Sequence, residues 1–231
     1  MPLLLIVLLL VVALIAYWHL VIAEGAYLGP RVVALLYDVV AGRYNRIKQF
    51  NPDDDAFFFG DPLVEWLAGV EQPRVLDVAT GSGRVPLTLM ANPSFRGTVA
   101  AVDRARLMLR EAARTLTPHR DRVFISRQEG TRLAFGNEVF DAVCCLEALE
   151  FMPDPVGGLS ECARVLKRGG VLMVTRRTGP WARWMPGRTP SREQFKAQVE
   201  SLGLWDVKVQ TWQIDYDLAW GVKMAEWGSE A

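Results

Sequence analysis

Val75-Leu76-Asp77-Val78-Ala79-Thr80-Gly81-Ser82-Gly83 is the stretch that decides the fold of this chain. Its first half is a run of branched apolar residues with one acid, the composition of a strand buried on both faces. Two glycines follow, and beyond them Val85–Ala91 has helical character. Glycines at a strand-to-helix turn let the backbone reverse tightly and let a ligand approach main-chain N–H groups. Gly-x-Gly alone is a weak signal, because a purely structural turn uses it as readily.

Outward from the turn, the next strand-like segment, Thr98–Asp103, ends in an acid about twenty residues after the glycines. A carboxylate there can accept hydrogen bonds from both hydroxyls of a ribose. The two features together fit either NAD or an adenosine-containing methyl donor. A dinucleotide turn wants a third small residue at position 86, where this chain has Pro86. Asp77, inside the strand, suits the amine or ribose of S-adenosylmethionine, whereas a pyrophosphate gains nothing from a neighbouring negative charge.

The rest of the chain alternates in the same way. Strand-like segments cover Arg74–Ala79, Thr98–Asp103, Arg122–Ser126, Phe140–Leu146 and Val171–Thr175, with helical ones at Val85–Ala91, Ala105–Thr115 and Val156–Leu166. A helix at Arg192–Leu202 then precedes strands Asp206–Trp212 and Tyr216–Met224, joined by Gln213-Ile214-Asp215. Alternation predicts an α/β fold with a parallel sheet, and the short last connection predicts an antiparallel hairpin at one edge. The expectation is a Rossmann-like, seven-stranded, mostly parallel sheet.

Leu3–Ala23 carries no charge and closes with Tyr17, Trp18 and His19. As a helix it spans about 30 Å, the thickness of a bilayer core. It lacks a positive n-region and a small-x-small cleavage site, so it reads as one transmembrane helix rather than a signal peptide. Arg31, Arg43, Arg46 and Lys48 follow it, which predicts a single-pass protein with its catalytic domain in the cytoplasm. The helical-looking stretch Pro30–Phe50 ends in turn signals at Asn51-Pro52 and Asp53–Asp55. The expected organisation is an anchor (1–23), a helical linker or lid (24–60) and a catalytic domain (61–231). With 26 basic and 26 acidic residues, no global field draws the chain to nucleic acid. Cys144, Cys145 and Cys162 have neither zinc nor disulfide spacing and read as small buried hydrophobes; no metal site is expected.

These motifs resemble the class I S-adenosylmethionine-dependent methyltransferases, and more narrowly the ubiquinone/menaquinone C-methyltransferase-like branch. The similarity covers roughly Tyr37 to Lys223. Val75–Gly83 looks like the first motif, with Ala79 where many relatives carry glycine, and Val102-Asp103 with Leu107-Met108-Leu109 resembles the acidic-strand motif. Glu129-Gly130, Phe140–Val143, Leu149–Pro155 and Ala163–Gly170 match the later motifs in order. The resemblance implies S-adenosyl-L-methionine as cofactor, held by Asp77, Ala79, Gly81, Gly83, Asp103, Arg104, Glu129 and Gly130. Glu129-Gly130 departs from the usual Asp-Ala. Tyr37–Asn45 is similar to a segment that closes over the donor, with Asn45 in place of a frequent Asp; a plain amphipathic helix explains it nearly as well.

Methyl transfer from a sulfonium mainly needs alignment and exclusion of water. A quinol-type acceptor would also need a base, for which Glu147 and Glu150 are the nearest weak candidates, with Tyr44 as a third. His19 and His119 are read as non-catalytic. The four arginines and two tryptophans of Arg176–Arg188 suggest an interfacial patch facing lipid phosphates, against a solvated loop packed on its own domain. Phe57-Phe58-Phe59 lines either an apolar mouth or the core. The expected activity is methylation of a lipophilic small molecule or lipid headgroup at the membrane, with oligomeric state open. A membrane-tethered non-catalytic scaffold and an NAD-linked dehydrogenase are the rivals.

Overall fold

The computed structural model describes residues 2–225. Met1 of the expected anchor and residues 226–231 of the expected catalytic domain lie outside the described residues. Helix α1 (Pro2–Tyr17) continues as a wider π-turn through Trp18–Ile22. Among the described residues this is the one helix long and apolar enough to cross a membrane, and none of it is buried in the protein. It stops just short of Ala23, which is fully buried in a tight turn where Glu24 (φ 46°) and Gly25 (φ 77°) take left-handed backbone.

Helices α2 (Pro30–Val40) and α3 (Tyr44–Lys48), bridged by a 3₁₀ turn at Ala41–Arg43, fill the expected helical stretch. Asn51-Pro52 and the three aspartates, expected to form a stop, begin a new helix. Asn51 Oδ1 accepts from the Asp53 N–H at 3.0 Å, Pro52 takes the first position, and the acids sit at the positive end of α4 (Pro52–Asp55). The same residue types break one helix and cap the next, so the sequence alone leaves the two readings alike. The chain stays helical through Ala56–Gly60 into α5 (Asp61–Trp66).

From there strands and helices alternate: β1 (Arg74–Val78), α6 (Arg84–Ala91), β2 (Thr98–Asp103), α7 (Arg106–Thr115), β3 (Val123–Arg127), β4 (Phe140–Cys145), α8 (Pro155–Val165), β5 (Leu166–Arg177), α9 (Gly179–Ala182), α10 (Arg192–Glu200), β6 (Leu204–Gln213) and β7 (Tyr216–Lys223). The sheet order is β3-β2-β1-β4-β5-β7-β6. The first five strands are parallel, and β7 runs antiparallel to both neighbours, as expected for the hairpin. Strand β5 starts five residues before the expected Val171, because Phe140 pairs with Leu166 across a bulge.

Alternate residues of the central strands point into two cores, the reason those strands read as continuous apolar runs. Val75 and Cys144 face Leu63, Val85 and Leu116 on one side; Leu76 and Cys145 face Leu159, Phe195 and Val199 on the other. All three cysteines are free and fully buried. Phe59 is core, edge-on to Trp212 at 6.0 Å, whereas Phe57 is largely exposed. Chain order reverses between β1 and β4, which opens a crevice at their carboxyl ends.

Candidate active site

Strand β1 delivers Asp77 into this crevice and then turns. Ala79 (φ 58°), Gly81 (φ 57°) and Gly83 (φ 91°) are all left-handed, and the turn closes through Gly83 N–H to the Thr80 carbonyl at 2.9 Å. Glycine at 83 is demanded by space as well, since a Cβ there would lie 2.7 Å from Leu116 Cδ1. Ala79 adopts the same backbone with a methyl group, at a cost of about 1 kcal/mol.

Asp103, at the end of β2, holds the turn in place. Its Oδ2 accepts from the Gly81 N–H at 2.9 Å and its Oδ1 from the Ala105 N–H at 2.8 Å. A carboxylate offers about four acceptor directions, so two remain for ligand hydroxyls. Burial pushes the Asp103 carboxyl up from its ordinary value, and these backbone N–H groups pull it back.

Asp77 is fully buried, and burial raises its pKa to about 7, softened by the neighbouring Thr80 hydroxyl. Asp77 Oδ2 and Thr80 Oγ1 have no well-aligned hydrogen-bond partner. Buried polar atoms are normally satisfied, so this pair beside a glycine turn fits a cationic or hydroxyl-bearing ligand.

Ala79, Gly81, Asp103, Arg104, Glu129 and Gly130 line one cleft of about 110 Å³, and Asp77 lines the adjoining hollow under the turn. Gly83 stands behind, against α7. Glu129 is ion-paired with Arg104 at the cleft edge. Gly130 keeps the floor flat: a Cβ there would lie 2.7 Å from Met152 Cε and 3.2 Å from Val78 Cγ1.

The opposite wall comes from α2 and α3. Pro30, Val33, Ala34, Tyr37 and Tyr44 line the cleft together with Glu147 and Phe151. The Tyr37 hydroxyl donates to Glu24 Oε2 at 2.9 Å, and its ring centroid lies 6.0 Å from those of both Tyr44 and Phe151. Burial and nearby carboxylates push both phenols up, so they stay protonated at neutral pH. Asn45 Oδ1 accepts from Ser82 Oγ at 2.5 Å, tying this wall to the glycine turn.

Both oxygens of Glu147 are engaged, by Lys48 at 2.5 Å and Arg84 at 2.7 Å. Glu150 is buried outside the cleft lining, where its Oε1 accepts from the Tyr216 hydroxyl at 2.6 Å; burial raises its pKa to about 7. Neither His19 nor His119 lines the cleft.

Sequence reading missed the residues that join the two walls. Arg84, on the first turn of α6, makes a two-pronged contact with buried Asp55 at 2.8 and 2.5 Å and stacks over Phe50 (4.0 Å) and Trp212 (4.7 Å). Glu24 bridges Tyr37 and Arg177, the latter at 3.2 Å. In the arginine-rich loop, the two readings divide: Arg176 binds Asp217, Arg177 binds Glu24, and Arg188 donates to the carbonyls of Ala26, Glu150 and Met152, as in a loop packed on its own domain. Three of the four cations are thus used inside the protein, while Arg183, Trp181 and Trp184 stay exposed.

Residues 76–174 match the family model for the methyltransferase domain. The ubiquinone/menaquinone biosynthesis C-methyltransferase UbiE of Syntrophotalea carbinolica is 33% identical over 142 residues, covering 60% of this chain and 58% of that protein. The ubiquinone biosynthesis O-methyltransferase of Alkalilimnicola ehrlichii is 35% identical over 112 residues, covering 48% and 44%. The chain therefore spans about half the length of these curated relatives. The crystal structure of the [4+2]-cyclase SpnF superposes with a TM-score of 0.69 at 18% identity, over 85% of this chain and 97% of that one, a likeness of fold alone. Sheet order, glycine turn, paired acids and the match over residues 76–174 together identify an S-adenosylmethionine-dependent methyltransferase domain, similar in sequence to methyltransferases of ubiquinone and menaquinone biosynthesis.

Proposed function

We propose that this chain transfers a methyl group from S-adenosylmethionine to a lipophilic small molecule, a quinol-type ring or a lipid headgroup, at a membrane surface. The observation that carries this reading is the composition of one cleft. Its floor is the donor-binding turn with Asp103 and Gly130, and its opposite wall is a helix that follows an exposed apolar span by a short buried turn. When bound, S-adenosylmethionine supplies an electrophilic methyl on a positively charged sulfur.

Asp103 would accept from the ribose hydroxyls, Asp77 would face the amine, and the Gly130 backbone and Glu129 would meet the adenine. Tyr37, Tyr44 and Phe151 exclude water from the reacting atoms, and Tyr44, as a neutral phenol, orients an acceptor by donating a hydrogen bond, the Tyr37 hydroxyl being committed to Glu24. An ionised base is not required of them. The first 60 residues act as anchor and lid, with the helix α1 and its π-turn in the bilayer and the domain on the cytoplasmic side. The relatives named for ubiquinone and menaquinone biosynthesis support the choice of a lipophilic acceptor.

The test incubates membranes containing the full chain with methyl-labelled S-adenosylmethionine, using Asp103→Ala as the blank. Label in the organic extract above that blank is the expected result. Label confined to the aqueous or protein fraction would exclude a lipophilic acceptor while keeping the transferase.

A further inference from the structure

The junction between the apolar span and the domain is built as a rigid joint. Trp18, on the last turns of the span, donates from Nε1 to the Trp184 carbonyl at 3.0 Å and stacks on Tyr27 with ring centroids 5.1 Å apart. The Tyr27 hydroxyl donates to the Pro186 carbonyl at 2.7 Å, and Arg188 reaches the Ala26 carbonyl at 2.7 Å. Ala23, Gly25 and Ala26 between them are buried. Glu24 then binds both the lid, through Tyr37, and the end of β5, through Arg177. A flexible tether would have polar, exposed residues here; this one has packed rings and hydrogen bonds satisfied by the domain.

A rigid joint fixes which face of the domain meets the plane from which the span emerges. At that place the surface is unusually apolar. Trp181 and Trp184 on the post-β5 loop are 45% and 49% exposed. Leu35 and Val39, exposed by 61% and 75%, stand one turn apart on the outside of α2, and Leu28, exposed by 44%, lies in the turn that leads from the joint into this helix. The inner side of the same helix lines the cleft. Arg31, Arg43, Arg46 and Arg183 are exposed, Arg31 on α2 itself and Arg183 between the two tryptophans. Between Gly25 and Phe50 the chain has four basic residues and a single acid, Asp38. Apolar side chains and indoles framed by cations match the boundary between acyl chains and anionic headgroups.

We propose that the outer face of α2 and the Trp181–Trp184 loop form one lipid-docking surface, seated in the headgroup layer of an anionic phospholipid bilayer and continuous with the span. The inference rests on the reading of α1 and its π-turn as a membrane anchor. It makes the lid a partition with lipid on one side and the cleft on the other.

The test uses the full chain in vesicles of phosphatidylcholine and phosphatidylglycerol whose acyl chains carry bromine, a short-range quencher. Single cysteines bearing an environment-sensitive fluorophore are placed at exposed positions by Trp181→Cys and Val39→Cys, with Val70→Cys ahead of β1 as the distal control. The native cysteines are fully buried and do not compete for label. The labels at 181 and 39 are expected to be quenched about two-fold or more relative to unbrominated vesicles, with the label at 70 unaffected. A fourth label at Leu10→Cys reports the anchor. Quenching at 10 without quenching at both 181 and 39 would overturn the docking surface and leave the anchor standing. Absence of quenching at 10 as well would overturn the anchor, and the docking surface with it.

Discussion

The two walls of the cleft are made differently. The donor side is local: turn, acid and glycine come from strand ends of one parallel sheet, and its key bonds are backbone N–H groups to Asp103. The lid side is assembled from distant pieces. Asp55, Arg84 and Glu147 meet from three elements, and Glu24 and Arg177 lie 153 residues apart. A wall fixed by its own backbone keeps its shape when one side chain changes, whereas a wall held by buried ion pairs depends on every member.

The largest expected effect follows directly. Arg84→Ala leaves Asp55 and Glu147 buried without their shared cation, and should cost about 3–5 kcal/mol of stability in chemical denaturation. A loss below about 1 kcal/mol would mean that the lid side does not hang on this network. On the donor side, Asp103→Ala removes a ligand-facing carboxylate and two bonds to the turn. It should weaken S-adenosylmethionine binding about 100-fold, near 3 kcal/mol, while the sheet stays folded by circular dichroism.

Asp77 gives a pH-dependent prediction of intermediate size. Its folded pKa stands at about 7 against an ordinary 3.8, because burial disfavours the charge. The folded ligand-free protein therefore holds a proton that the unfolded chain loses near pH 4. Stability contributed at low pH declines from about pH 4 upward, and the full cost is reached above about pH 7. A cationic ligand favours the ionised form, so donor affinity should rise by up to about ten-fold between pH 6 and 8. Asp77→Asn should flatten that profile in a titration series, and a profile unchanged by the substitution would remove Asp77 from contact with the donor.

How much of this was legible in the sequence follows the same division. The glycine turn, Asp103, the sheet and its terminal hairpin could be read because each is encoded within about thirty residues by periodicity and turn chemistry. Arg84 was visible only as the residue after Gly83, and nothing local marks Asp55 or Glu147 as its partners. The arginines of 176–188 fit a surface patch and a packed loop alike for the same reason: charge shows in a sequence, but the buried carboxylate of Asp217 or a free carbonyl of Ala26 does not. Asn51-Pro52 marked the end of one helical stretch correctly, but not the start of the next, because stop and start signals use the same residues.

The smallest effect concerns a single methyl. Ala79→Gly should relieve the left-handed backbone at φ 58°, raising stability by less than about 1 kcal/mol and leaving donor affinity unchanged. A destabilisation would show that the Ala79 methyl, which packs against the core, outweighs the strain.

The most direct test of the donor site is calorimetric titration of the purified full chain with S-adenosylmethionine and, separately, with reduced NAD. The expected result is one saturable site for S-adenosylmethionine, weakened about 100-fold in Asp103→Ala, and no heat of binding for the dinucleotide. Binding of reduced NAD that S-adenosylmethionine fails to displace, or no binding of S-adenosylmethionine to the folded protein, would contradict it.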